Sequence, residues 1–346
     1  MTLQMSHTSP LRLGLMAAGA LAAFAAPALA QDAAATTMDK GDTTFMLVST
    51  ILVLLMILPG LALFYGGLVR TKNMLSVLLQ CTLITAMVMV IWIFYGYSFA
   101  FGGSESAFWG GTAKLFLAGV TPASEAATFS DGVMIPEYIF IAFQMTFACI
   151  TPALIVGAFA ERIRFSAVML FVALWVTFVY FPVAHMVWDA NGLLFKMGAL
   201  DFAGGTVVHI NAGIAGLIGA IMVGKRTGFG RDMMAPHSMT LTMVGAALLW
   251  FGWFGFNAGS AGAANGQAVQ ALLNTFLAAA AGMVGWLATE KLRDGQATSL
   301  GAASGVVAAL VAITPAAGYV GGLAGIVFGL LAGSVCYLAL TLKTRF

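Results

Sequence analysis

Long apolar stretches, separated by short polar segments, dominate the chain from residue 44 onward. A membrane helix needs about 20 residues, because each residue adds about 1.5 Å along a helix that must cross about 30 Å of hydrocarbon. Most of the stretches are apolar on every side, which is typical of helices in a lipid-embedded bundle. The pattern predicts about nine helical spans, near residues 44–68, 74–101, 137–159, 166–185, 204–223, 239–257, 268–288, 298–313 and 317–342.

Composition supports a membrane protein over a soluble one. Of the 346 residues, 61% are hydrophobic and only 8% are charged, which is more apolar surface than a soluble domain of this size can bury. The expected fold class is therefore all-α, a polytopic helical membrane protein. The sequence shows no nucleotide-binding loop, catalytic triad or metal-ligand cluster. We expect no enzyme activity, no cofactor and no metal, with a lipid bilayer rather than nucleic acid as the surroundings.

The first 30 residues have the pattern of a secretory signal peptide. Arg12 precedes an Ala-rich apolar run, 13–24, and the small residues of 27–30 (Pro-Ala-Leu-Ala) form a cleavage pattern. We therefore expect residues 1–30 to be removed and residues 31–346 to form the transmembrane domain. The mature amino terminus is then expected outside the cell.

The distribution of basic residues gives a second view of the topology. With the amino terminus outside, nine spans place eleven Lys and Arg residues on the inner side and three on the outer side of the mature chain. This bias follows the positive-inside rule and predicts a multi-pass protein of the inner (plasma) membrane. Nine acidic residues lie on the outer side, where they would concentrate cations.

His209 is a lone histidine in the small-residue span 204–223. It lies about 8 Å below the start of that helix, inside the hydrocarbon region, where an ionisable group is costly. The ring either locks packing through an interhelical hydrogen bond or lines a narrow pore as a neutral imidazole. His209 shares a helix face with Gly213, Gly216 and Ala220, and this spacing predicts close packing along that face.

Asp201 precedes the same helix. One interpretation is an N-cap, in which the carboxylate accepts hydrogen bonds from free amides and complements the helix dipole. The other is an electrostatic role at the mouth of a pore. The two roles are compatible, and both remain open at this point.

Aromatic residues gather near the predicted outer ends of three spans. Phe143 and Phe147 are four residues apart and share a helix face, Trp188 ends the fourth span, and Ser260 follows the sixth. Each alone is typical of a core or of an interfacial belt. At one depth, Trp188, Phe143 and Ser260 would form a cation–π site for a small ammonium ion. Phe147 and Phe256 would then form a hydrophobic constriction beneath it.

These residues resemble the ammonium transporter (Amt/Rhesus) family. The similarity is carried by segments 59–70 (PGLALFYGGLVR), 160–165 (AERIRF), 201–211 (DFAGGTVVHIN) and 253–260 (WFGFNAGS), in the family's order. It implies about eleven spans arranged as two inverted five-helix repeats. It also implies a homotrimer with one pore per subunit and a PII-type regulatory protein on the cytoplasmic face.

The resemblance assigns roles to individual residues. Ammonium is recruited at Phe143, Trp188 and Ser260, and the phenylalanines Phe147 and Phe256 gate the way to the pore. After deprotonation, a pair of histidines carries ammonia and proton through a hydrophobic channel.

His209 matches the first histidine of that pair, and Asp201 matches the family's aspartate at the vestibule. The family's second histidine lies on the tenth span, and the sequence here accounts for about nine spans. We therefore expect a transporter of ammonium or ammonia that lacks the last two spans. The alternative is a non-conducting ammonium sensor or an inactive truncated transporter.

Overall fold

The computed structural model describes residues 38–340 and residue 342. Within that range nine long helices follow one another along the chain. The predicted signal peptide, residues 1–30, lies outside the described residues and stays a prediction. The helices are α1 Lys40–Leu68, α2 Thr71–Phe101, α3 Glu137–Phe159, α4 165–188, α5 Gly205–Val223, α6 Met239–Gly259, α7 Gly266–Asp294, α8 Ser299–Ile313 and α9 Gly322–Ala339.

Each helix overlaps one predicted span, so the predicted all-α polytopic architecture is confirmed. Eight of the helical segments are at least 18 residues long, with mean hydropathies from 1.5 to 2.6, whereas α8 is shorter. The predicted ends differ most at α7, which continues to Asp294 rather than to residue 288. Its last turn carries Lys291 and Arg293, and an apolar window does not register polar helical turns.

Shorter elements complete the described chain. Four of the long helices contain a π-helical turn, a feature often found at functional positions. These turns are Met56–Leu61 in α1, Trp92–Gly96 in α2, Val176–Tyr180 in α4 and Gly205–Ile210 in α5. The strands β1, Glu125–Ala127, and β2, Met134–Pro136, pair antiparallel between α2 and α3, and the helices Leu115–Leu117 and Leu193–Lys196 lie in loops.

Helix α3 runs through the centre of the bundle. In its apolar window 78% of residues are buried, compared with 22% in α5 and in α9. Phe143 and Phe147 are among its buried residues. The central position of α3 means that side chains on it are surrounded by protein, whereas α5 and α9 have broad outward sides.

Close contacts at glycine hold neighbouring helices together. A Cβ added to Gly255 of α6 would lie 2.7 Å from the Ser49 carbonyl oxygen of α1. One added to Gly285 of α7 would lie 2.6 Å from the Leu330 carbonyl oxygen of α9. These distances are too short for any side chain, so glycine is what lets the backbones approach, as is usual between membrane helices.

The packing face of α5 differs from the predicted one. Gly216 and Gly219 lie against Ala158 and Phe159 of α3, but a Cβ added to Gly213 would meet nothing within 4 Å. The prediction that Gly213 is part of the packing face is therefore wrong. The spacing of small residues gives candidates for contact, but the rotation of a helix depends on the neighbours it meets.

The loops lie at two ends of the bundle. We call one end the Trp188 face, formed by residues 102–136, 188–204, 260–265 and 314–321. There the Phe202 amide donates to the Pro315 carbonyl oxygen at 3.0 Å. The other end, the Glu161 face, is formed by residues 69–73, 160–164, 224–238 and 295–298. There the His237 amide donates to the Val69 carbonyl oxygen at 3.3 Å.

Glu161 joins three loops of the face named after it. Its side chain is 1% exposed and pairs with Arg70 at 3.1 Å and with Arg226 at 3.3 Å. Asn73 donates a further hydrogen bond at 2.8 Å. Burial works against ionisation, but the hydrogen bonds from Arg70 and Asn73 and the charge of Arg70 prevail and lower the pKa of Glu161 to about 2.

Candidate functional site

A small cavity lies at the Trp188 face, beside the centre of the bundle. The volume in which the centre of a water molecule fits is about 20 Å³, so the cavity has room for about one molecule of that size. Its walls are almost entirely apolar and include Phe143, Phe147, Trp188 and Ser260. The structure therefore brings together all three predicted recruitment residues and one residue of the predicted gate.

The aromatic walls pack in edge and tilted arrangements. The Phe143 and Phe147 ring centroids are 4.9 Å apart, as expected for residues one turn apart on α3. The Trp188 ring meets Phe147 edge-on, with centroids 5.7 Å apart. Aromatic faces carry negative quadrupole charge, so a cavity lined by these rings suits a small cation.

Trp188 and Ser260 each donate their side-chain proton to a backbone carbonyl oxygen of the protein. Trp188 Nε1 donates to the Asp201 carbonyl oxygen at 3.0 Å. Ser260 Oγ donates to the Phe256 carbonyl oxygen at 2.8 Å. With its proton used in this way, the Ser260 hydroxyl has lone pairs left for accepting a hydrogen bond, and it lines the cavity.

Phe147 and Phe256 form a stacked pair. Their ring centroids are 4.2 Å apart and their planes differ by 24°. Phe147 lines the cavity, and Phe256 lies beyond it, fully buried. The pair is a dry apolar partition between the cavity and the interior of the bundle.

His209 lies on the far side of this partition. Its ring stacks on Phe256, with centroids 5.9 Å apart, and on Trp253, with centroids 5.5 Å apart. Its Nε2 is buried and has no hydrogen-bond partner among the described residues. The ring is therefore held by stacking, while one nitrogen stays available for a ligand.

Asp201 does not line the cavity; its carboxylate holds the start of α5. The carboxylate oxygens accept hydrogen bonds from four consecutive amides, those of Gly204, Gly205, Thr206 and Val207, at 2.5 to 3.0 Å. Burial raises the pKa of Asp201, and these four hydrogen bonds partly oppose that rise. The carboxylate thus satisfies the free amides as the first interpretation expects, but the residue at the N-cap position is Gly204 rather than Asp201. A role of Asp201 in proton transfer stays a prediction.

Sequence reasoning missed two residues of this region. Trp253 stacks on His209, and its Nε1 donates to Thr314 Oγ1 of the α8 end at 2.9 Å. Gln144 lines the cavity next to Phe143 and is 5% exposed. A polar residue inside an apolar span was the available signal for Gln144. Within the described range, no group of three His, Cys, Asp or Glu residues could hold a metal ion.

Comparison with known proteins places this arrangement in a family. A sequence model of the Ammonium Transporter Family matches residues 44–346. An ammonium transporter of Mycobacterium tuberculosis (strain H37Rv) is 49% identical over 326 residues, covering 89% of this chain and 68% of that protein. The chain also resembles the crystal structure of Saccharomyces cerevisiae Mep2, with a TM-score of 0.81 and 39% identity over 89% of this chain and 70% of Mep2.

A further solved structure, described as a Sensor Amt Protein, has a TM-score of 0.79 and 28% identity, covering 86% of this chain and 74% of that one. The family match and the identity extend along nearly all of the described helices. They confirm the resemblance carried by the four sequence segments. This chain belongs to the ammonium transporter family and is a multi-pass helical membrane protein.

Proposed function

We propose that the protein recruits ammonium at the cavity of the Trp188 face, deprotonates it and passes ammonia to His209. The observation that carries this proposal is the order of the parts. A water-sized cavity with aromatic walls and an acceptor hydroxyl lies directly above a stacked phenylalanine pair, and a histidine with a free nitrogen lies below it.

Ammonium fits the cavity in size and in charge. It is close to water in size, and the cavity has room for about one molecule of that size. The rings of Phe143 and Trp188 attract the cation, at about 0.5–2 kcal/mol for each cation–π contact. Ser260 Oγ accepts one N–H hydrogen bond, since its own proton is already donated to Phe256.

The phenylalanine pair favours passage of neutral ammonia over passage of the ammonium ion. Phe147 and Phe256 offer no polar atom to replace the hydration of an ion, so a charged species pays a large desolvation cost between them. Neutral ammonia does not. On the other side, the neutral imidazole of His209 accepts or donates a hydrogen bond to ammonia, and the proposed proton relay runs through His209 and Asp201.

The proposed orientation has the Trp188 face outside. The described part of the Glu161 face and its adjoining helix ends carries nine basic residues, and the Trp188 face and its helix ends carry Lys40, Lys114 and Lys196. Basic residues accumulate on the cytoplasmic side of membrane proteins. The proposal therefore includes an inner-membrane location with the mature amino terminus outside, after removal of a signal peptide at residues 1–30.

Assembly is proposed from membership of the family. The protein would form a homotrimer with one pore in each subunit. A PII-type regulatory protein would bind at the Glu161 face, where the loops joined by Glu161 lie. Size-exclusion chromatography with light scattering in detergent tests the trimer.

A non-conducting ammonium sensor is the second candidate. It is favoured by the likeness to the structure described as a Sensor Amt Protein. A sensor would bind ammonium in the same cavity without flux.

Methylammonium uptake separates these functions. Cells that express the chain should take up labelled methylammonium, and Trp188→Leu and His209→Ala should each remove most of that uptake. Trp286→Leu is the matched control, since Trp286 is a buried tryptophan of α7 that lies away from the cavity. Uptake that neither site variant changes would refute the assigned pathway, and saturable ammonium binding without uptake would favour the sensor.

A further inference from the structure

The geometry points to Gln144 as an additional ligand for ammonium, whose side-chain oxygen accepts an N–H hydrogen bond inside the cavity of the Trp188 face. This inference rests on the proposed function, because it deepens the chemistry of the same cavity. Ser260 would then be one of two hydrogen-bond acceptors, and the aromatic rings would supply the remaining walls. The evidence is the state of the Gln144 carboxamide.

Gln144 lines the cavity and is 5% exposed, but its Oε1 has no hydrogen-bond partner among the described residues. Buried polar atoms in proteins nearly always have a partner, because an unpaired buried acceptor costs the desolvation of that group. A carboxamide oxygen without a protein partner at the wall of a mostly apolar cavity therefore indicates that the partner is a ligand. The carboxamide turns about its last bond, so its oxygen and nitrogen exchange places with little movement.

The required ligand is a hydrogen-bond donor of about the size of water. Ser260 also lines the cavity, and its Oγ proton is already donated to Phe256, so both side chains offer acceptor atoms. Ammonium has four N–H donors and no acceptor, which matches two oxygen acceptors surrounded by aromatic faces. Gln144 would thus set the number of hydrogen bonds that the cavity makes to its cation.

A matched control exists in α2. Gln80 is also 5% exposed, its Oε1 also has no partner among the described residues, and it does not line the cavity. The changes Gln144→Leu and Gln80→Leu therefore remove the same kind of buried oxygen at two places. A change in ammonium binding that both variants share would come from altered structure. A change that only Gln144→Leu shows would come from the loss of a ligand in the cavity.

The experiment measures binding rather than transport. Protein in lipid nanodiscs is unfolded thermally at increasing ammonium chloride, with sodium chloride adjusted to keep ionic strength constant, in a buffer of neutral pH. Ligand that binds the folded state raises the unfolding temperature, and the concentration dependence gives the dissociation constant. The variants are Gln144→Leu, Gln144→Glu, Gln80→Leu and Trp188→Leu.

We expect Gln144→Leu to weaken ammonium binding at least about tenfold, because a hydrogen bond to a charged group is lost. Without ammonium this variant should unfold at the same or a higher temperature than the parent, since an unpaired buried oxygen has been removed. Gln144→Glu, which keeps the shape and adds a negative charge, should tighten binding and carries the test if the leucine variant does not fold. Gln80→Leu should leave binding unchanged.

The outcomes distinguish this inference from the proposed function. If ammonium does not raise the unfolding temperature of the parent protein, the proposed function fails. If the parent binds, Trp188→Leu loses binding and Gln144→Leu keeps it within about twofold of the parent, the cavity stands and the role of Gln144 is refuted. Equal weakening by Gln144→Leu and Gln80→Leu would also refute it.

Discussion

Glu161 on one face and Gln144 near the other are both buried side chains with polar ends, and they differ in what those ends contact. The Glu161 carboxylate is paired with Arg70, Asn73 and Arg226, all from other loops. The Gln144 oxygen has no partner in the described chain. Paired polar atoms hold a structure in one arrangement, whereas unpaired ones are costly unless a ligand completes them. The difference separates a face whose buried charge is fully paired from a cavity whose wall keeps a free acceptor.

Removing the Glu161 ion pairs should have the largest effect on the free energy of unfolding. Glu161→Gln removes the charge that two arginines share, and we expect it to lower the free energy of unfolding by about 3 kcal/mol. Chemical denaturation in detergent micelles measures the change. Glu105→Gln is the matched control, because Glu105 is exposed in a loop of the opposite face, and it should cost almost nothing. Equal stability of the two variants would contradict the role given to Glu161.

Acid should weaken the same face. The pKa of Glu161 is lowered from its ordinary value of 4.5 to about 2, so its carboxylate contributes stability that is complete above the ordinary value. That contribution is lost as pH falls from there toward about 2, because the unfolded chain binds the proton first. Unfolding temperatures measured through this range should fall more steeply for the parent than for Glu161→Gln. Parallel curves would show that another group titrates.

The smallest effect on folding is expected in the cavity. Ser260→Ala removes one acceptor, and we expect a stability change within about 1 kcal/mol together with several-fold weaker ammonium binding in the nanodisc assay. Ser98→Ala is the control: Ser98 is fully buried outside the cavity and accepts a hydrogen bond from the Lys114 amide. It should lower stability and leave binding intact. Weaker ammonium binding by Ser98→Ala, with unchanged binding by Ser260→Ala, would contradict the role given to the cavity.

The spans were predictable from the sequence because hydropathy adds up along a window, and crossing the hydrocarbon fixes how long that window must be. The cavity residues Phe143, Trp188 and Ser260 were predictable for a similar reason. They lie near helix ends on one side of the bundle, and the family resemblance supplied the common role that we propose for them.

The contacts that the sequence did not predict depend on which side of each helix faces which neighbouring helix or loop. Gly213 was expected in a packing face, but a Cβ added there would meet nothing within 4 Å, since α5 is rotated so that Gly216 and Gly219 meet α3. The pairing of Glu161 with Arg226 joins residues 65 positions apart through loops whose course no periodicity specifies. The free oxygen of Gln144 is likewise a property of its surroundings and not of its place in the chain.

Asp201 accepts hydrogen bonds from two parts of the molecule. Its side-chain carboxylate accepts from amides in the first turn of α5, and its backbone carbonyl oxygen accepts from the Trp188 indole. One residue thereby fixes the spacing between the aromatic wall of the cavity and His209, which follows in that first stretch of helix. The cavity wall and the start of α5 are therefore mechanically coupled. A substitution that displaces the Trp188 indole is expected to shift the first turn of α5 and, with it, His209.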